Sequence, residues 1–156
     1  MKIDVVKLVI SIAVCQAAGV VGSFFTTPYI ATWYAALNKP FFNPPNWIFA
    51  PVWTTLFLLM GISLYLVWIN GIKKNRNAVG IFGAQLALNV LWSLLFFYLQ
   101  RPLYAFIEIV LLWVAILLTM IIFRKVNRNS ALLMIPYIAW VSFAALLNYY
   151  IWVLNL

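Results

Sequence analysis

Apolar positions along this chain do not alternate; they run together in five long blocks, at residues 5–25, 47–70, 79–99, 103–123 and 131–153. Each block is long enough to carry a helix across a hydrocarbon core, which takes about 20 residues rising about 1.5 Å each. Short polar clusters separate the later blocks: Lys73, Lys74 and Arg76, then Gln100, Arg101 and Pro102, then Arg124, Lys125 and Arg128. Past the amino-terminal Lys7, the only charge inside a block is Glu108. The pattern predicts an all-α, multi-pass integral membrane bundle of five transmembrane helices, with residues 1–156 forming one domain.

The first two blocks are joined by WYAALNKPFFNPPNWIFAPVW at residues 33–53, which holds four prolines and three tryptophans. Pro40, Pro44 and Pro45 each fix φ and push the preceding residue out of the helical region, so the connection is stiff and extended. Its aromatic side chains then occupy set places, as a lid over the mouth of a bundle requires.

Helical spacing shows where a site can form beneath that lid. In the second block Trp53, Phe57, Met60, Gly61, Leu64 and Trp68 recur at steps of three and four and share a face. Gln85, Asn89, Trp92 and Phe96 do so in the third block, and Trp140, Ala144 and Asn148 in the fifth. Amides at bilayer depth are costly when unpaired, so Gln85, Asn89 and Asn148 are expected to point inward. Singly, these residues read as interhelical glue and core packing. Three helices presenting aromatic and amide groups under one stiff loop read as a cavity. Glu108, about two turns into the fourth helix, has two readings: a functional group, or a partner of Arg101 or the headgroups. Small residues form rows in the first helix (Cys15, Gly19 and Ser23, with Ala18 and Gly22) and in the third (Gly80 with Ala84, Gly83 with Ala87). Such rows let helices approach closely within one chain or between two, and a homodimer through the third helix is expected.

Composition narrows the chemistry. The chain is 67% hydrophobic with ten basic residues, two acidic ones and no histidine. Without histidine there is no Ser-His-Asp or Cys-His triad and no His-based metal or haem ligation. Asp4 and Glu108 are too far apart in role to form a paired-carboxylate site, and no glycine-rich phosphate loop follows a strand. No cofactor is expected. Cys15 is a lone thiol inside a span, and the lipoprotein-like box ending there has an unsuitable Val14 and continues as an apolar run, so the segment reads as a helix. The net charge of +8 does not form a stripe for nucleic acid. Instead Lys2, Lys7, Lys73, Lys74, Arg76, Arg124, Lys125 and Arg128 fall on one side of the membrane, and Lys39 and Arg101 on the other. That bias places the amino terminus in the cytoplasm and the first loop and carboxyl terminus opposite.

The residues from Trp33 to Trp152 resemble a known family: the 33–53 loop, MGISLYLVW at 60–68, GAQLALNVLWSLLFF at 83–97 and PYIAWVSFAALLNYYIW at 136–152 follow one another in the order of the translocator proteins. These are also called tryptophan-rich sensory proteins or peripheral-type benzodiazepine receptors. The resemblance implies five transmembrane helices, a pocket closed by the first loop, dimers, and binding of porphyrins and of isoquinoline carboxamide or benzodiazepine ligands. It places ligand-binding residues at Tyr34, Pro40, Trp53, Phe57, Asn89, Trp92, Phe96, Trp140, Phe143, Ala144 and Asn148. In relatives that photodegrade protoporphyrin the reactive indoles match Trp53 and Trp140, which makes a light- and oxygen-dependent enzyme the competing reading. A ligand carboxylate would find Lys39 or the loop. Phe42 stands where many relatives carry tryptophan. LNYYIWVLNL lacks the basic residue that completes the sterol pattern of animal relatives, and a pattern of that type at Leu95, Tyr98 and Arg101 is of a kind common by chance. A sterol-binding or regulatory partner role therefore ranks below porphyrin binding.

The charge asymmetry makes topology testable. Reporter fusions in a bacterial host are expected to place the second and fourth loops in the cytoplasm and Leu156 outside; a cytoplasmic carboxyl terminus would overturn the orientation or the five-span count.

Overall fold

The computed structural model describes residues 3–71 and 76–156. Lys2, Lys73 and Lys74 of the basic asymmetry lie outside the described residues. Five helices are long and apolar enough to cross a membrane, over Val5–Ile30, Asn46–Gly71, Asn77–Tyr98, Pro102–Val126 and Arg128–Leu154.

Helix α1 (Val5–Ile30) starts at Asp4, whose Oδ1 accepts from the Lys7 backbone N–H at 3.1 Å while Oδ2 pairs with Lys7 Nζ at 2.7 Å. The bonds from Lys7 hold the exposed Asp4 carboxyl below the usual range. Pro28 lies in the last turn, and the helix ends two residues later. A four-residue helix α2 (Trp33–Ala36) and a 3₁₀ turn (Asn46–Ile48) flank the proline-rich stretch, and α3 (Phe49–Gly71) follows. It ends at Gly71, whose φ of 133° favours glycine.

Helix α4 (Arg76–Ser93) runs on into a wide π turn (Leu94–Tyr98), where the Leu99 N–H reaches back five residues to the Leu94 carbonyl at 2.9 Å. Gln100, with φ 54°, closes it. Pro102 then opens α5 (Pro102–Val126), a position where its missing N–H costs nothing, and Arg124 and Lys125 sit in the last turn against the negative end of the helix dipole. The fifth span, expected as one helix, is two: α6 (Arg128–Leu133), capped by Asn127, and α7 (Ile135–Leu154). The break at Met134 follows from Pro136, which has no N–H for the carbonyl four residues back and whose ring would strike it.

The spans close into a ring. Helix α1 packs on α3 and α4, α4 on α5, α5 on α6 and α7, and α6 returns to α3. The core between them holds Cys15, Met60, Val67, Ile109, Leu112, Ile116, Tyr137 and Val141, with Phe82 stacked on Phe123 at 5.5 Å. A second cluster of Tyr34, Phe96, Phe97, Ala105, Leu147 and Ile151 lies at the loop end.

Glycine sets the closest approach. A Cβ on Gly61 would stand 2.7 Å from the Ile12 Cα, and one on Gly19 would stand 2.7 Å from the Phe57 ring. The small-residue row of α1 thus works inside the chain. At Gly80 and Gly83 of α4 a Cβ would meet nothing within 4 Å. Gly61→Ala is accordingly expected to push α1 off α3 and cost about 1–3 kcal/mol, whereas Gly80→Ala should gain up to about 1 kcal/mol from helix propensity. Thermal unfolding in detergent reads both, and equal midpoints would show that the α1–α3 contact is looser than described.

Candidate functional site

Under the first loop, α1, α3, α4 and α7 surround a cavity of about 340 Å³, within the range of small-molecule pockets. Of the residues singled out in the sequence, Tyr34, Trp53, Phe57, Asn89, Trp92, Phe96, Trp140, Ala144 and Asn148 all line it. Pro40 and Phe143 do not. Pro40 is buried in the loop, its carbonyl accepting from the Asn43 N–H at 3.0 Å, and Phe143 lines a separate outer groove between α3 and α7 with Pro51, Leu56, Pro136 and Trp140. The stripe on α3 contributes only its loop-side end: Met60, Gly61, Leu64 and Trp68 lie below the cavity, Met60 and Gly61 in contact with other helices.

Aromatic rings form most of the wall, held by one another. Trp92 stacks on Phe96 at 5.1 Å and 18°. Trp53 leans on Phe57 at 5.8 Å and meets Tyr137 edge-on at 6.3 Å, and Trp140 meets Phe49 edge-on at 6.0 Å. Edge and offset pairs of this kind add about 0.5–1.5 kcal/mol each beyond burial and fix the faces offered to the cavity.

The amides have partners in the protein. Trp92 Nε1 donates to Asn148 Oδ1 at 3.0 Å, and Asn148 Nδ2 donates to the Pro102 carbonyl at 2.8 Å. Asn89 Nδ2 donates to the Tyr137 hydroxyl at 3.0 Å, which itself donates to Gln85 Oε1 at 2.9 Å. Glue and cavity wall are therefore one arrangement: Asn89 and Asn148 serve both, and Gln85 serves only the first.

The loop is braced both within itself and against α7. Tyr34 is buried, its hydroxyl donates to Asn43 Oδ1 at 2.8 Å, and burial pushes the phenol above its usual range. Lys39 Nζ donates to the Leu37 and Ala35 carbonyls at 3.0 and 3.1 Å and sits 4.9 Å over the Tyr34 ring, so this cation serves the loop and does not line the cavity. Phe42 packs edge-on against Tyr150 at 5.4 Å and against Phe143 at 6.3 Å. Finally, the Asn38 N–H donates to Asn155 Oδ1 at 3.0 Å and Asn155 Nδ2 returns to the Asn38 carbonyl at 2.9 Å, clasping the loop to the end of α7.

One feature escaped the sequence reading, and another, Glu108, was left there with two readings. Helix α1 supplies Gln16, Gly19, Val20, Ser23, Thr26 and Thr27 to the wall, signalled only by its small and hydroxyl residues. Glu108 makes no hydrogen bond or ion pair with Arg101: it is 4% exposed, and both carboxyl oxygens lack a hydrogen-bond partner among the described residues. It does not line the cavity either, and among the described residues no charged side chain does. Among the described residues no three His, Cys, Asp or Glu side chains gather to hold a metal. Such a wall can stack flat apolar rings and exchange a few hydrogen bonds.

Comparison with known proteins agrees with this architecture. The profile of the TspO/MBR family matches residues 11–153. The chain is 46% identical to the tryptophan-rich protein TspO of Archaeoglobus fulgidus, across 97% of this chain and 99% of the relative. It is 41% identical to the translocator protein of Ovis aries, covering 84% and 82%, and 32% identical to the tryptophan-rich sensory protein of Cereibacter sphaeroides, covering 96% and 91%.

A buried carboxyl without partners costs stability, so Glu108→Met, which keeps the length and removes the polar atoms, is expected to raise stability by about 1–3 kcal/mol. Thermal unfolding in detergent measures this. A lowered midpoint would show that Glu108 has a partner in the folded membrane protein.

Proposed function

The chain belongs to the TspO/MBR family of integral membrane proteins with a receptor- or transporter-like role, and from that premise we propose that it binds porphyrins or related flat tetrapyrroles in the cavity beneath the first loop. The observation that carries this reading is the uncharged wall bearing three indoles, Trp53, Trp92 and Trp140, at fixed angles around one space. A large aromatic ring buries much apolar area there, and each stacking contact adds about 0.5–1.5 kcal/mol. The ring's carboxylates are assigned to the rim, among Ser23, Thr27 and Asn46, because Lys39 is engaged within the loop. Isoquinoline carboxamide and benzodiazepine ligands suit the same wall.

Light-driven oxidation of the bound porphyrin is the second reading, favoured by Trp53 and Trp140 both standing on the wall. The two readings separate under illumination in air. A binder returns its porphyrin unchanged, whereas photochemistry yields a new absorption product that Trp53→Phe or Trp140→Phe abolishes at saturating ligand.

Ala144 tests the cavity itself. Its methyl group is part of the wall, one turn from Trp140 and from Asn148, where a larger side chain takes the ligand's place. Ala144→Leu is expected to insert normally but to weaken protoporphyrin IX binding about tenfold or more in a Soret titration, while Val153→Leu changes little. Unchanged affinity in folded Ala144→Leu would place the ligand elsewhere.

A further inference from the structure

The exposed part of the cavity's lining lies between α1 and the start of α3. On α4 and α7 its wall residues are buried or half-buried, but on the facing edges of α1 and α3 they are exposed: Val20 at 55%, with Ser23, Thr27, Ala50 and Thr54. The two helices come backbone to backbone at Ile12 and Gly61, and nearer the loop Gly19 of α1 faces the Phe57 ring of α3. Gln16 bridges the bottom of the gap, its Nε2 donating to the Thr54 carbonyl at 3.1 Å. Above this bridge lies an open slot between residues 20–27 and 46–54.

Depth fixes what the slot faces. Trp47, 73% exposed, is an indole of the kind that rests at the membrane interface. Thr54 is seven residues further along, about 10 Å deeper at about 1.5 Å per residue, inside the near half of a hydrocarbon core about 30 Å thick. The slot therefore opens on the acyl chains and headgroup boundary of the loop-side leaflet. Its rim is apolar at Val20 and Ala50 and hydroxyl- or amide-bearing at Ser23, Thr27, Asn46 and Thr54, matching a flat apolar molecule with a polar edge lying in that leaflet. The route through the loop is obstructed by the double Asn38–Asn155 clasp, by the buried Tyr34 and by Phe42 wedged on Tyr150.

We propose that ligands exchange with the bilayer sideways, through the slot between α1 and α3, with Gln16 as its lower bar and the first loop as a fixed plug. This rests on the ligand-binding reading above. It concerns the path and the side of the membrane from which the ligand comes: the substrate is drawn from the membrane-dissolved pool of the loop-side leaflet.

The test uses the full chain in phosphatidylcholine vesicles with protoporphyrin IX as probe, following its release to acceptor vesicles by fluorescence. Ala50→Trp narrows the slot and is expected to slow release about tenfold or more; mere crowding of the site would speed it, so the sign separates the two. Ser23→Trp, on the facing rim, gives the same reading if Ala50→Trp does not accumulate. Asn155→Ala opens the clasp and should leave release within about twofold. Unchanged or faster release from the slot variants, or about tenfold faster release from Asn155→Ala, overturns the lateral route. A second measurement needs no porphyrin: a nitroxide on Thr54→Cys in a Cys15→Ala background should collide with lipid-dissolved oxygen and not with a water-soluble nickel chelate. Preferential access by the chelate would make the slot aqueous and overturn the proposal. Failure of the unaltered chain to bind protoporphyrin IX, with the nitroxide still shielded from the chelate, would remove the porphyrin reading and leave the lipid-facing slot standing.

Discussion

Asn148 ties three helices together at one point. From α7 its oxygen accepts the Trp92 indole N–H of α4 and its nitrogen donates to the Pro102 carbonyl at the start of α5. In hydrocarbon the hydrophobic effect does not draw helices together, so such bonds, at about 0.6–2 kcal/mol each, and close packing do that work. The Asn89–Tyr137–Gln85 chain does the same one layer down, again between α4 and α7. These two polar layers hold α7 against α4 and α5, while α1 is held to α3 by glycine contacts further down. The space left between the two groups, on the loop side, is the cavity. The cavity is a by-product of where the bundle places its ties.

What was legible in the sequence follows from this. Spans are written in uninterrupted apolar length, and Trp53, Asn89, Trp92, Trp140, Ala144 and Asn148 repeat at helical spacing because one face of each helix meets one space. The contribution of α1 was hidden because its row of Gly19, Gly22 and Ser23 reads as a surface for helix packing, and Gln16, Thr26 and Thr27 beside it carry no aromatic stripe. Phe143 was misplaced relative to the cavity because it adjoins the wall residue Ala144 in sequence but lies about 100° around the helix from it, on the outer groove. The breaks at Met134 and Leu94–Tyr98 are local events inside long apolar runs. Pro136 signals the first; nothing in LLFFY signals the second, and the structure offers no side-chain cause for it.

The loop is the least membrane-like part of the chain, and prolines and hydrogen bonds fix it. Its prolines limit the backbone, and Asn38, Asn43 and Asn155 meet its remaining polar groups, so that aromatic rings can be carried across a bundle end without being free to collapse. Phe41 points fully outward and Phe42 inward, a division made at the tight turn that the Asn43 N–H closes on the Pro40 carbonyl.

A wall whose described residues carry no charged side chain discriminates by area, outline and a few hydrogen bonds. Contributions proportional to buried surface change little when one flat polycycle replaces another of similar size, and no fixed charge is present to reject an alternative. On the reading proposed above, selectivity in such a site would come largely from composition outside the protein, with the planar amphiphile most abundant in the surrounding leaflet favoured as occupant. The occupant would then report the chemical content of the membrane rather than the identity of a single molecule.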